Sequence, residues 1–320
     1  GCGYNFGHYG LGEINGRAYY DIGNNGVQDG ADPALPNLTM TLSGNTIGGS
    51  DICTLITCTT TTDVNGDFAF TGLSFSDGAG YAVTQTQPLD YAIGTNVVGT
   101  GGGMFSVIGG NVEVSGIVIA INDDEAFNYR FAHITGTITG FVFHDVNRDG
   151  TRNGGDSQIA GIPVILSGTT ATGADICTTI AACTVITDGN GAYTFTGLRN
   201  SAAGGYALVR GTVPGYLTFG SYGLIDGVLC ASCDISVGTS ILAIPFNAGS
   251  GYTEFNFAVG TTTANKGISG RVYLDGNENG VYDAGEELAG VNVHLTGVND
   301  AGGSVDLTVQ TDVNGNYLFT

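Results

Sequence analysis

Thr187-Asp-Gly-Asn-Gly-Ala-Tyr-Thr-Phe-Thr-Gly-Leu198 is a short stretch with two halves. The first half is made of turn formers. The second alternates, with Tyr193 and Phe195 separated by Thr194, which is the period of a strand buried on one face. The Asn190-Gly191 step reads as a hairpin of type I′, because that turn needs positive φ. The stretch is not unique. It appears earlier as Thr62-Asp-Val-Asn-Gly-Asp-Phe-Ala-Phe-Thr-Gly-Leu73 and later as Thr311-Asp-Val-Asn-Gly-Asn-Tyr-Leu-Phe-Thr320. A strand-and-turn block in three copies makes the chain a repeat protein, and repeats decide the architecture.

The rest of each unit falls into place around this block. Ile14-Asn-Gly-Arg-Ala-Tyr-Tyr-Asp21 returns as Ile138-Thr-Gly-Phe-Val-Phe-His-Asp145 and as Ile268-Ser-Gly-Arg-Val-Tyr-Leu-Asp275, at spacings of 124 and 130 residues. A second block carries Leu38/Met40/Leu42, Ile162/Val164/Leu166 and Val291/Val293/Leu295 at period two. A closing block reads YNFG from Tyr4, YRFA from Tyr129 and FNFA from Phe255. Residues 1–10 thus read as the closing strand of a preceding unit, 11–133 and 134–260 as two whole units, and 261–320 as the first half of a third. Many short strands with turn punctuation and no helical period predict an all-β fold of tandem β-sandwiches. Short linkers predict that the units stack as a rod. The expectation for the ends is a longer polypeptide, or pairing with another copy or neighbouring repeats.

Composition closes off several functions. The chain has 320 residues, with 8 Lys plus Arg against 29 Asp plus Glu and a formal net charge of −21. Nucleic-acid binding through phosphates requires clustered cations, which are missing. Charge-driven attachment to anionic lipid fails for the same reason. No apolar run is long enough for a membrane-spanning helix, and no signal peptide is visible. The start at Gly1 without Met reads as a mature or excised segment.

Seven cysteines form three close pairs and one remainder: Cys53 with Cys58, Cys177 with Cys183, Cys230 with Cys233, and Cys2. Local disulfides in an oxidising extracellular setting are the favoured reading. Zinc would need two clustered pairs, and these lie far apart or in different units. A thioredoxin-like role for Cys230-Ala-Ser-Cys233 would need a βαβ setting, which the sequence lacks.

After the first strand of each unit comes an acidic loop. In the third unit, oxygen-bearing side chains stand at loop positions 1, 3, 5, 9 and 12, as Asp275, Asn277, Asn279, Asp283 and Glu286, with Gly280 at position 6 and the Val281 carbonyl at 7. This is the spacing of an EF-hand calcium loop, without its helices. Ca²⁺ takes 6–8 oxygens at ~2.3–2.6 Å, and a tight loop can turn alternate side chains and one carbonyl inward. The second unit offers Asp145, Asn147, Asp149, the Thr151 carbonyl, Asn153 and Asp156. The first offers Asp21, Asn25, the Val27 carbonyl, Asp29 and Asp32, but has Gly23 at position 3, so its site is expected to be weaker. A solvated Asn/Asp/Gly turn is the alternative for a single loop. Three copies at one place in each unit favour ligands.

These residues carry a family resemblance. Gly270-Arg-Val-Tyr-Leu-Asp-Gly-Asn-Glu-Asn-Gly-Val-Tyr-Asp-Ala-Gly-Glu-Glu287, the TDxNG blocks, Thr86-Gln-Pro-Leu-Asp-Tyr91 and Gly3-Tyr-Asn-Phe-Gly7 resemble the SdrD B-like repeat of bacterial surface proteins, related to Cna B-type domains. The resemblance implies an immunoglobulin-like or transthyretin-like sandwich, stiffened by calcium, in a secreted or wall-attached stalk, adhesin or fibre. It also implies a further ligand from Asp63, Asp188 and Asp312, although the turn itself accounts for that motif. Many Cna B-type domains cross-link Lys to Asn. Here the sole lysine, Lys266, stands in a linker, so the whole units cannot form that bond.

Catalysis finds little support. His8, His133, His144 and His294 fall on or beside strands, each replaced by another residue type in the matching units, so no triad emerges. The carboxylates sit in repeated turns, which favours ligands over a glycosidase pair. The Gly-rich segment 99–110 lacks the strand–loop–helix setting and the lysine of a phosphate loop. Asn37-Leu-Thr39 is a glycosylation sequon with Asn37 expected on the outward side of its strand. The sequence thus predicts a non-enzymatic structural repeat of an extracellular surface fibre, stalk or filament, with Ca²⁺ as its cofactor. The stalk of an adhesin comes second, and accessory domains of a secreted hydrolase third.

Overall fold

The computed structural model describes residues 11–120, 125–235, 238–261, 268–298 and 304–319. Cys2, His8, Lys266 and the first closing block lie outside them. The chain divides into two compact units, Gly1–Gly260 and Thr261–Thr320. Among the described residues there is no α-helix, only strands and two single-turn 3₁₀ segments, Ile52–Thr54 and Ile176–Thr178.

The first unit holds two β-sandwiches. Repeat 1 consists of β1 (Gly12–Tyr20), β2 (Thr39–Ser43), β3 (Thr59–Thr61), β4 (Asp67–Leu73), β5 (Tyr81–Gln85), β6 (Ala92–Ile93), β7 (Met104–Ile108), β8 (Asn111–Ile117) and β9 (Glu125–Ile134). One sheet has the order β4-β1-β9-β6 and the other β3-β2-β5-β8-β7. Repeat 2 consists of β10 (Gly136–His144), β11 (Ser157–Gln158), β12 (Pro163–Ser167), β13 (Thr184–Ile186), β14 (Ala192–Leu198), β15 (Tyr206–Arg210), β16 (Tyr216–Ile225), β17 (Val228–Leu229), β18 (Ser240–Ile244) and β19 (Tyr252–Thr261). Its sheets are β11-β10-β19-β16-β17, with β14 also on β10, and β13-β12-β15-β18. The second unit shows β20 (Ile268–Arg271) paired with β23 (Asn316–Phe319), and β21 (Asn292–Val298) paired with β22 (Ser304–Gln310). The all-β, tandem-sandwich fold class read from the sequence is the one found.

The period-two residues face inward as their alternation dictates. Met40, Leu42, Phe68 and Phe70 are buried in repeat 1, and Val164, Leu166, Tyr193 and Phe195 in repeat 2. Each repeat closes around one apolar cluster. In repeat 1 the ring of Phe131 on β9 meets Phe68 and Phe105 edge-on, at centroid distances of 5.8 and 5.2 Å.

Each repeat begins and ends on neighbouring strands that run the same way. β1 pairs with β9 in parallel, and β10 with β19. The glycine of the Ile-x-Gly motif makes this approach possible. A Cβ on Gly16 would lie 2.2 Å from the Tyr129 carbonyl oxygen, and one on Gly140 2.0 Å from that of Phe255.

The Asn-Gly blocks are not type I′ hairpins. The Gly66 amide donates to the Asp63 carbonyl at 2.9 Å, and only Gly66, at φ +77°, is left-handed in the turn; Asn65 is not. This is a type I turn followed by a left-handed glycine. Nor does it join hydrogen-bonded neighbours: β3 belongs to one sheet and β4 to the other, so the turn carries the chain across the sandwich. Asp63 Oδ1 decides the geometry by accepting the amides of Asn65 and Asp67 at 2.8 and 2.9 Å. Asp188 and Asp312 repeat it. Asn37 also departs from its expected place: it precedes β2, exposed, with φ +62°.

Candidate metal loops

Each acidic loop leaves the sandwich where its first strand ends. The Asp21 amide donates to the His133 carbonyl at 2.9 Å and the Asp145 amide to that of Val259 at 2.8 Å, so the closing strand fixes position 1 in both whole repeats. Asp21 and Asp145 are buried, while Asp275 is half-buried.

The three loops share one backbone. Position 4 is left-handed in each, at Asn24, Arg148 and Glu278 with φ of 46°, 60° and 59°. So is position 6, at Gly26, Gly150 and Gly280. The position 1 carboxylate accepts the amides of positions 5 and 6: Asn25 and Gly26 on Asp21 at 3.1 and 2.9 Å, Asp149 and Gly150 on Asp145 at 3.2 and 2.8 Å, Asn279 and Gly280 on Asp275 at 3.1 and 2.8 Å. The position 12 carboxylate accepts the amides of positions 2 and 9: Ile22 and Asp29 on Asp32 at 3.0 Å each, Val146 and Asn153 on Asp156 at 3.1 and 2.8 Å, Gly276 and Asp283 on Glu286 at 3.0 Å each. The shorter Asp156 therefore braces its loop as Glu286 does.

In the second and third loops, the side chains of positions 3, 5 and 9 meet. Asn147 and Asn153 both donate to Asp149 Oδ2, at 2.8 and 2.7 Å, and Asn153 Nδ2 lies 3.5 Å from the Thr151 carbonyl. Asn277 and Asn279 both donate to Asp283 Oδ2 at 2.8 Å. The Thr151 amide and hydroxyl also donate to Asp149 Oδ1, at 2.8 Å each, and hydrogen bonds hold both carboxyls below the usual range: Asp149 through Thr151 first, then Asn147, and Asp283 through Asn277 and Asn279. In the first loop Gly23 supplies no side chain. Asn25 accepts the Val27 amide and Asp29 that of Ala31. The Val281 amide donates to Asn279 Oδ1 at 2.7 Å, as Val27 does to Asn25.

The donor set offered is oxygen throughout, which suits a hard cation. Among the described residues no three His, Cys, Asp or Glu side chains gather into a metal-holding group. Carboxylates alone therefore form no cage, and any cation here leans on amide and carbonyl oxygens as well. The second loop has a further anchor that the repeat pattern does not signal. Arg148 lies over the Phe219 ring at 4.7 Å, Arg152 over Phe141 at 3.8 Å, and the Arg152 amide donates to the Tyr222 hydroxyl at 3.2 Å.

All three expected cysteine pairs are disulfides: Cys53–Cys58, Cys177–Cys183 and Cys230–Cys233. None of these six sulfurs is free as a thiolate for zinc. The 3₁₀ segments carry Cys53 and Cys177, and their amides are capped by Asp51 and Asp175 at 2.9 Å.

Tandem disulfide-pinned β-sandwiches define a repeat segment of all-β domains. The chain belongs to the family of SdrD B-like domains, which matches residues 12–125 and 136–222. It is 27% identical over 331 residues to the serine-aspartate repeat-containing protein F of Staphylococcus epidermidis, covering 99% of this chain and 17% of that one. It is 28% identical over 317 residues to the serine-aspartate repeat-containing protein D of Staphylococcus aureus, covering 98% of this chain and 21% of that one. The chain thus spans about a fifth of the length of these relatives. A shaft pilin SpaA from Lactobacillus rhamnosus GG aligns with 79% of this chain and 98% of its own, at 11% identity and a TM-score of 0.27. The protein is extracellular, at the cell surface, where disulfides persist.

Proposed function

We propose that this segment is a non-enzymatic length of a surface fibre, stalk or filament, stiffened by calcium in the acidic loop of each repeat. One observation carries the reading: three loops, each after the first strand of its repeat, share one hydrogen-bonded backbone in which carboxylates 1 and 12 tie both ends. Calcium, when bound, supplies positive charge at the point where these carboxylates repel one another. Asp145 and Asp156 hold the loop backbone closed through four amides. Asn147, Asp149, Asn153 and the Thr151 carbonyl supply the oxygens between them. Because Asp145 sits at the end of β10 beside β19, a closed loop also secures the strand pair that begins and ends the repeat. Titration calorimetry of the full chain with Ca²⁺ tests the reading. Heat of binding that disappears loop by loop in Asp145→Ala and Asp275→Ala supports it, and no heat at millimolar calcium refutes it.

A further inference from the structure

The junction between repeats 1 and 2 holds a polar contact that the loops do not explain. The segment after β5 brings Leu89, Asp90 and Tyr91 onto the end of repeat 2. Asp90 is only 5% exposed. Its Oδ1 accepts the Thr172 amide at 2.9 Å and its Oδ2 the Thr172 hydroxyl at 2.9 Å, with Arg199 Nη1 at 3.5 Å. Its carbonyl accepts the Asn200 amide at 2.8 Å. The Asn200 side chain completes the contact by donating to the carbonyls of Leu89 and Tyr91, at 2.8 and 3.1 Å, while accepting the Ala248 amide at 2.8 Å. Arg199 lies over the Tyr91 ring at 5.1 Å.

A buried carboxylate is costly unless every lone pair is answered. Here it is answered wholly from the neighbouring repeat. We infer that Asp90 and Asn200 form a latch that fixes repeat 2 on repeat 1, and that it is specific to this pair of repeats. Both halves are absent from the matching positions. Repeat 2 has Gly215 where repeat 1 has Asp90, and repeat 1 has Gly48, Ser74 and Phe75 where repeat 2 has Thr172, Arg199 and Asn200. Repeat 2 therefore receives a latch from repeat 1 but carries no carboxylate at the position from which repeat 1 makes it. The inference rests on the structural reading above in taking stiffness as the function, but not on calcium, since no loop oxygen takes part.

The test is the relative order of the two repeats in the full chain, read from backbone residual dipolar couplings. The wild-type chain is expected to give one shared alignment tensor for residues 11–133 and 134–260, in calcium and in chelator alike. Asp90→Ala is expected to split that tensor in two, while the amide spectrum of each repeat away from the joint stays in place. Thr172→Val and Asn200→Ala, which leave the carboxylate intact, are expected to split it in the same direction, and they keep the test open if Asp90→Ala fails to fold. A single tensor retained in both Thr172→Val and Asn200→Ala overturns the latch. So does a wild-type tensor that splits on chelation alone, which would place the joint's stiffness in the metal loops. Absence of calcium binding with the shared tensor intact would sink the calcium reading and leave the latch standing.

Discussion

The Ala18 amide donates to the Gly66 carbonyl at 2.9 Å, and a Cβ on Gly66 would stand 2.3 Å from the carbonyl oxygen of that same Ala18. The sheet-crossing turn is thus docked on the first strand by a residue that must be glycine. Val142 with Gly191 and Val272 with Gly315 repeat the relationship at 2.9 and 2.8 Å. Gly66→Ala is expected to cost about 2–4 kcal/mol, through the left-handed φ and the backbone collision together. Denaturant unfolding of the full chain measures it, and a loss below about 0.5 kcal/mol would show that the turn is not held this way.

The threonine before that turn is expected to matter as much. Thr187 Oγ1 donates to the Ile159 carbonyl at 2.8 Å and accepts the Ile162 amide at 3.0 Å, while the residue is buried. Thr187→Val keeps the shape but orphans two backbone groups, a loss of roughly 2 kcal/mol or more. Thr187→Ser, which keeps the hydroxyl, should recover most of it in the same denaturation assay.

His133 makes stability depend on pH. It is fully buried on β9, its Nε2 beside the Gln85 amide at 2.9–3.1 Å, and burial pushes its pKa down to about 4. An unfolded histidine takes up its proton near pH 6.5. Between pH 6.5 and 4 the unfolded chain therefore binds more protons, so this group's contribution is full above pH 6.5 and is lost as pH falls towards 4. The loss is on the order of 3 kcal/mol. Melting curves across that window, compared with His133→Gln, check it: the variant should be flatter there.

Calcium removal should lower the melting temperature and expose the loops that begin at Asp21, Asp145 and Asp275 to protease. Binding to the folded state alone adds about 2.7 kcal/mol per site at 100 times Kd. The first loop, with Gly23 in place of a ligand, should empty first. Asp275→Ala should cost the third loop its ion and leave the others filled. Identical melts in millimolar calcium and in chelator would refute the stiffening role.

Thiol titration of the native protein should find at most one free thiol per chain, at Cys2. Closing loops of five or six residues adds roughly 2 kcal/mol per bridge by the chain-entropy estimate. Mild reduction is therefore expected to loosen the 3₁₀ segments at Cys53 and Cys177 before the sandwiches melt, as amide exchange would show.

The strands that bury one face were legible because alternation is a local property: Tyr193 and Phe195 face the core as their spacing requires. The cysteine pairs were legible for the same reason. The loop oxygens could be placed in sequence, and the tie of Asp145 to the amides of Asp149 and Gly150 follows from the turn that Gly150 permits. What escaped depends on distant chain. That β3 and β4 belong to different sheets cannot be seen in Thr62–Leu73, because it is decided by what β2 and β1 pair with. The burial of His133 depends on Gln85, 48 residues away, and the latch on Asn200, whose counterpart in repeat 1 is an unrelated Phe75.

The parallel pairing of β1 with β9 has a mechanical consequence. The chain enters repeat 1 at the start of β1 and leaves it at the end of β9, which, because the strands run the same way, is at the opposite end of the pair. Tension applied along the polypeptide therefore slides one strand past the other. The paired register, from Glu13–Glu125 to Tyr20–His133, must then fail together and not bond by bond from one end. Only Thr135 separates β9 from β10, where the same arrangement starts again with β19. Each repeat meets a pull in shear, the direction in which a ladder of weak bonds resists most.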